Sequence, residues 1–371
     1  MSSFVGLRRA SVLLVALLAI SFTVAACGDD DDGGGSGDGG GPTIALLLPE
    51  NQTPRYESAD RPYFEERVEE ICPDCEILYS NATEDASKQQ SQVEAALTQG
   101  ADVLVLDPVD AASAASSVQR ASQQDVPVLS YDRLILGAPG LEVYVSFDNV
   151  RVGELQAEAL VKKLKEDGSP KGPIVKINGD PADSNAALFK EGSNKGFETA
   201  GVEVAREYDT PGWLASNAQN EMQQAITALG KDGFAGVYAA NDDTGGGAIA
   251  AMKGAGIDPA ERPTTGQDAT VAGVQRILAG QQYMTVYKAI KPQASISAEI
   301  AVDLAEGKQV PQDKITDQLD NEAEKVPSIL LEPVAVTKDN IKQTVIADEF
   351  ITPDELCTDA YAKACEEAGI S

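Results

Sequence analysis

Val103-Leu104-Val105-Leu106-Asp107 and, one helix-length further on, Pro127-Val128-Leu129-Ser130-Tyr131-Asp132-Arg133 form a pattern that returns later in the chain. There, Val237-Tyr238-Ala239-Ala240-Asn241 is followed by Pro263-Thr264-Thr265-Gly266-Gln267-Asp268. Each copy reads as a buried strand, a helix, and a second strand that stops on polar residues, since short continuous apolar runs mark strands covered on both faces. In open α/β sheets, ligands bind beyond the carboxyl ends of the strands. Two such units point to two similar lobes facing one ligand. Outward from the repeats, strand patterns fall at 44–48, 77–79, 143–147, 174–177, 202–208 and 284–287. Helical patterns at 63–71, 87–99, 152–165, 186–200, 215–229 and 294–305 alternate with them. This alternation predicts an α/β fold with two Rossmann-like lobes, each a parallel sheet flanked by helices, joined by hinge strands.

The 371 residues are enough for two cores. With 29 basic and 59 acidic residues, the formal charge is -30. Such a surface repels phosphate backbones, which argues against a nucleic-acid partner. The chain has no histidine, so it has no Ser–His or Cys–His nucleophile and no imidazole metal ligand. The triple glycine at 245–247 lacks the lysine and spacing of a phosphate-binding loop. The expectation is a binding protein, not an enzyme, with no metal and no cofactor.

The N-terminus reads as a targeting segment, with Arg8 and Arg9 ahead of an apolar stretch at 12–24. Val24-Ala25-Ala26-Cys27 resembles a bacterial lipobox, in which the Cys27 thiol takes the lipid; an ordinary cleavage site beside a free Cys27 is the other reading. The acidic, glycine-rich run 28–42 reads as a flexible tether. The predicted location is extracytoplasmic, lipid-anchored to the cell membrane. Four cysteines remain, on the oxidising side of the membrane where disulfides persist. They allow three pairings, and the local pairs Cys72–Cys75 and Cys357–Cys365 are preferred. Along one straight helix, residues 357 and 365 would lie about 12 Å apart, so that pair requires a bend. A thioredoxin-like role for Cys72-Pro73-Asp74-Cys75 lacks the expected flanks.

The strand ends carry the chemistry. Arg133 offers a rigid donor fork and Asp132 offers acceptors only, which suits a molecule rich in hydroxyls; a local surface ion pair is the competing reading. Asp268 holds the matching place in the second repeat. Asn241 ends the strand before it and serves equally well as a helix cap ahead of Thr244. Trp213, the sole tryptophan, is either a plate for an apolar sugar face or a hydrophobic plug. Lys288, after the strand at 284–287, would point into the cleft or sit in solvent.

At these residues the chain resembles the xylose-binding branch of bacterial periplasmic sugar-binding proteins. The similarity is carried by Tyr131-Asp132-Arg133-Leu134-Ile135, Val145-Ser146-Phe147-Asp148-Asn149, Val152-Gly153-Glu154-Leu155-Gln156-Ala157, Asp183-Ser184-Asn185-Ala186, Gly212-Trp213-Leu214, Gly266-Gln267-Asp268-Ala269 and Met284-Thr285-Val286-Tyr287-Lys288. The tail from Val326-Pro327-Ser328 to Val336-Thr337 resembles the related multiple-sugar-binding proteins. The resemblance runs in order from residue 43 to about 355. It implies a type I periplasmic binding protein fold that closes about its hinge on a monosaccharide, xylose first among aldoses, and serves the permease of an ABC importer as a monomer. The alternative is a receptor component that presents bound sugar to a sensor kinase or chemoreceptor. It implies sugar contacts from Arg133, Asn185, Asn241, Asp268 and Lys288, more weakly from Asp132, with Trp213 stacking. Arg55 and Tyr56 fall in the family's first ligand loop, where Arg followed by Trp is usual, and the loop length departs from the family's. The implied division is a signal peptide at 1–26, lipidated cysteine and tether at 27–42, one lobe at 43–147 plus 289–327, a second at 148–288 plus 328–355, and a C-terminal extension at 356–371.

Overall fold

The computed structural model describes residues 40–370; the signal segment, Cys27 and most of the tether lie outside them. Twelve strands run among the described residues: β1 Thr43–Leu48, β2 Glu76–Asn81, β3 Val103–Leu106, β4 Val128–Tyr131, β5 Leu141–Phe147, β6 Ile174–Ile177, β7 Val204–Tyr208, β8 Gly236–Ala239, β9 Met284–Tyr287, β10 Asp317–Asp320, β11 Lys325–Leu331 and β12 Val334–Thr337. The first lobe is built on a sheet of order β10-β11-β5-β4-β3-β1-β2, parallel except for the edge hairpin β10–β11. Its central strands are apolar in long runs, β1 from Ile44 to Leu48 and β3 throughout, because both faces are covered there. Ile44, Leu46, Val103 and Val105 pack on Phe64 and Val68 of helix Arg61–Ile71 and on Ala294, Ala298 and Ala301 of helix Ile290–Ala305. Ala45, Leu47, Leu104 and Leu106 face the other way, onto Val93, Ala96, Val118 and Ala121.

The second lobe repeats this plan with one break. β7-β6-β8 are parallel, and β9 pairs antiparallel with β12. The expected strand at 263–268 is reduced to a single bridge between Val237 and Thr264. The cause is Thr265, whose hydroxyl accepts from the Ala239 N–H and donates to the Ala239 carbonyl, both at 2.9 Å, in place of ladder bonds. The segment still fills the gap. Val237 N–H donates to Pro263 on one side, and Val286 N–H to Gly266 on the other.

The chain crosses between lobes after β5, after β9 and after β11. β11 stays paired with β5 through Leu331, so residues 328–331 belong to the first lobe and the expected boundary at 327 moves to the β11–β12 junction. The C-terminal segment is no appendage. Leu356, Cys365 and Ile370 are buried with Val274, Ile277 and Val336 in the second lobe's core. Cys72 is bonded to Cys75, and Cys357 to Cys365. The second bond is possible because the chain turns between helices Pro353–Leu356 and Ala362–Glu367, bringing the Cα atoms to 5.8 Å.

Two helices set the height of the second lobe's polar residues. Helix Asn149–Glu166 leaves the hinge with its N-terminus capped by Asp148. Helix Ser184–Ala200, capped by Asp183, crosses it in near backbone contact. A Cβ on Gly153 would stand 2.1 Å from the Phe189 carbonyl oxygen, and one on Gly192 would stand 2.0 Å from that of Val150. Glycine at both positions lets the helices touch.

Candidate functional site

The carboxyl ends of the strands converge on a narrow polar cavity between the lobes. Arg55, Tyr56, Asp132, Arg133, Asn185, Trp213, Asn241, Asp268 and Lys288 all line it. Thr53, Asp183, Phe189 and Gln267 line it too, and were not expected from the sequence. The four bonded cysteines lie elsewhere, and among the described residues no acidic or cysteine cluster is arranged to hold a metal ion.

Asp132 and Arg133 are not a surface pair: they are 3% and 2% exposed. Asp132 has a left-handed backbone, φ 56°, which Asp tolerates better than most residues. This turns its carboxylate toward Arg55 Nη1 at 3.2 Å and the Tyr56 hydroxyl at 3.3 Å. Burial alone would raise its pKa, but Arg55, Lys288 and Arg133 outweigh that and hold it well below the usual carboxylate range. Arg55 is itself fixed by a fork on Asp60, with bonds of 2.6 and 2.8 Å, and by Gln293 Oε1 at 3.1 Å. Gln293 completes the ring by donating to Asp132 at 3.3 Å. Arg133 Nε lies 3.1 Å from Asp183 on the opposite lobe and 3.7 Å from Asp107 on its own. Asp107 is fully buried, with no hydrogen bond to either carboxylate oxygen. Burial pushes its pKa up against the pull of Arg133.

From the second lobe, Asn185 Nδ2 donates to the Asp132 carbonyl at 3.0 Å, and its Oδ1 accepts from Tyr144 and Asn149. Asn241 is both cap and cavity wall. Its Oδ1 accepts from the Thr244 N–H at 2.9 Å, which leaves the amide NH₂ for the cavity. Asp268, φ 87°, meets Lys288 Nζ at 3.3 Å and Gln267 Nε2 at 2.6 Å. Trp213 is likewise both plug and plate: it is 6% exposed yet lines the cavity. Its indole N–H donates to Asp183 at 3.1 Å, and Phe189 sits edge-on to it at 6.4 Å between centroids. The lobes touch at the rim, where Ala111 N–H donates to the Ala182 carbonyl at 3.0 Å. The set is a ring of fixed donors and acceptors around an aromatic corner. It can hold a small polyhydroxylated ring and offers no nucleophile paired with a base.

Asp183 stands inside the motif Asp183-Ser184-Asn185-Ala186, so a local signal existed for it, whereas Asp60 and Gln293 reach Arg55 from 5 and 238 residues away.

Comparison with known proteins agrees with this geometry. A family model described as a periplasmic binding protein domain matches residues 44–309. The D-xylose-binding periplasmic protein of Escherichia coli is 40% identical over 301 residues, covering 80% of this chain and 87% of that protein. The multiple sugar-binding periplasmic receptor ChvE of Rhizobium radiobacter is 32% identical over 290 residues, 74% of this chain and 81% of its own. An ABC transporter solute-binding protein of Clostridium phytofermentans, solved with bound β-D-glucose, superposes with a TM-score of 0.76 at 28% identity, over 85% of this chain and 99% of that one. Fold, cleft and relatives agree: the chain belongs to the periplasmic binding protein family, in the branch of xylose- and multiple-sugar-binding proteins.

Proposed function

We propose that this protein is an extracytoplasmic solute-binding lipoprotein. It captures a monosaccharide, D-xylose first among aldoses, between its lobes and presents it to the permease of an ABC importer without chemical turnover. The observation that carries the reading is the cavity itself. Charged donors and acceptors from both lobes, nearly all buried, converge on one cleft with Trp213 and Phe189 on one side. Hydrogen bonds to charged groups contribute roughly 1.5–3 kcal/mol each, enough for a few of them to hold a small polar ligand. The names of the relatives support a sugar, and xylose before others. Arg133, Asn185, Asn241, Asp268 and Lys288 are the proposed sugar ligands, with Arg55, Tyr56 and Asp132 behind them and Trp213 stacking on the ring. Cys27, outside the described residues, is the proposed lipid anchor.

Trp213 is the only tryptophan, so its fluorescence reports on the cavity directly. Titration with D-xylose, L-arabinose, D-glucose and D-galactose is expected to give a saturable change, tightest with xylose, and small-angle scattering at saturation should show compaction. A silent panel together with unchanged dimensions would sink the reading.

A further inference from the structure

Gln267 stands inside the cavity wall, one residue before Asp268, and is 3% exposed. Its amide nitrogen is committed to Asp268 Oδ1 at 2.6 Å. That bond also sets which way the amide faces: Asp268 pairs with Lys288 as a carboxylate, and a carboxylate only accepts. The backbone carbonyl of Gln267 is committed too, accepting from Asp242 N–H at 3.0 Å. What remains is Oε1, buried and without any hydrogen-bond partner among the described residues. A buried acceptor left unmade is destabilising, and it stays in a native fold where something else supplies the donor.

The first lobe shows what the same position looks like when the protein itself supplies the partner. Counting back from the left-handed aspartates, Tyr131 is to Asp132 what Gln267 is to Asp268. The Tyr131 hydroxyl is bonded to Asp60 at 2.5 Å, inside its own lobe. No residue of the second lobe plays the part of Asp60 for Gln267 Oε1. The neighbouring Asn241 Oδ1 already accepts from the Thr244 N–H, whereas Gln267 Oε1 accepts from nothing among the described residues.

We propose that Gln267 Oε1 is a direct acceptor for one ligand hydroxyl, and that this contact selects sugars that carry a hydroxyl opposite it. The inference rests on the sugar-binding reading above and assigns a specificity role to a residue outside the proposed ligand set. In this arrangement Asn241 gives a donor and Gln267 an acceptor from the same wall, so a sugar that lacks the hydroxyl facing Gln267 leaves Oε1 unpaired in the closed cleft. Discrimination of this kind is steep, because the loss falls on a buried polar group of the site.

The test is a cycle between protein and ligand. Wild type and Gln267→Met are titrated calorimetrically with D-xylose and with its 2-, 3- and 4-deoxy analogues, and D-glucose with its own deoxy series is run in parallel. One deoxy analogue should bind wild type about tenfold or more weakly than its parent, while Gln267→Met binds that analogue and the parent alike. Equal losses in the variant across every analogue would show Gln267 to be structural only and overturn the proposal. A wild-type complex crystallised with the parent sugar decides the matter even if the variant does not fold: a sugar hydroxyl within hydrogen-bond distance of Oε1 supports the proposal, and an Oε1 that meets no sugar atom overturns it. Failure of wild type to bind any sugar of the two series is a different result, which removes the sugar reading and this inference with it.

Discussion

Asp132 and Asp268 occupy the same place in two copies of one fold, and their backbones agree closely. Both are left-handed, at φ 56° and 87°, and both donate their N–H to a valine carbonyl of the next strand, Val145 and Val286, at 2.9 Å. Their side chains live differently. Asp132 is nearly spent on its own lobe: Oδ1 accepts from Arg55 and Gln293, and Oδ2 from Tyr56. Asp268 has only Lys288 and Gln267, both at Oδ1. Duplication copied the turn that aims each carboxylate, and the residues around each turn then diverged. The first lobe became a saturated, pre-set frame, and the second kept free acceptor capacity.

The largest effect should come from the residue that joins the two halves. Arg133 stands between Asp107 of its own lobe and Asp183 of the other, and all three are buried. Arg133→Met keeps most of the bulk but takes from Asp107 and Asp183 the cation that pairs with both. Breaking a buried pair by removing one partner costs about 3–5 kcal/mol. Urea unfolding should show a loss on that scale, and sugar binding should fall below detection in the Trp213 titration. A variant that unfolds like wild type and still binds would take Arg133 out of the site.

The comparison itself is tested by a matched pair, Asp132→Asn and Asp268→Asn, which keep shape and the left-handed turn. If free lone pairs decide the grip, Asp268→Asn should weaken sugar binding by about 2–3 kcal/mol, as for a hydrogen bond to a charged group. Asp132→Asn should lose only about 1 kcal/mol, since less of its carboxylate is left for a ligand. Calorimetric titration of both variants reads the difference. Equal losses would mean that the two lobes grip alike.

Much of this was legible in the sequence because buried strands and amphipathic helices leave periodic apolar patterns, and because a polar residue at a strand end is local information. Strands 103–106, 128–131 and 174–177 and helix Ala215–Leu229 fall where those patterns put them. The segment 263–268 reads as a strand by composition, and only the folded chain shows Thr265 taking over its ladder. The run Ser328-Ile329-Leu330-Leu331 is apolar enough for either sheet, so its membership was decided by pairing with β5. Asp60 and Gln293, which fix Arg55, come from helices whose patterns speak of packing alone. Gln267 was visible within a motif, yet nothing local shows that its oxygen ends up without a donor.

The smallest predicted effect concerns the rim, where the lobes meet acid to acid. Glu84 of the first lobe faces Asp180 and Asp183 of the second, with Glu50 beside it and Arg133 the cation among them. Glu84 approaches the Gly212 turn across the seam, and one of its carboxylate oxygens is buried without a partner. Burial, joined by Glu50, Asp180 and Asp183 and opposed by Arg133, pushes Glu84 up to about 7. Opening the cleft readmits water and carries Asp180 and Asp183 away, so Glu84 relaxes toward its ordinary 4.5. Between those two values the closed form holds the extra proton. Closure is therefore favoured by acid and weakened as pH rises through about 7. Asp132, shifted the other way, enters only at far lower pH. Calorimetry of D-xylose binding at pH 7 in two buffers of different ionisation heat should show net proton uptake, and Glu84→Gln should reduce it. Were wild type to take up no proton, the seam would be electrostatically idle, and the asymmetry between the lobes would lie wholly in the cavity.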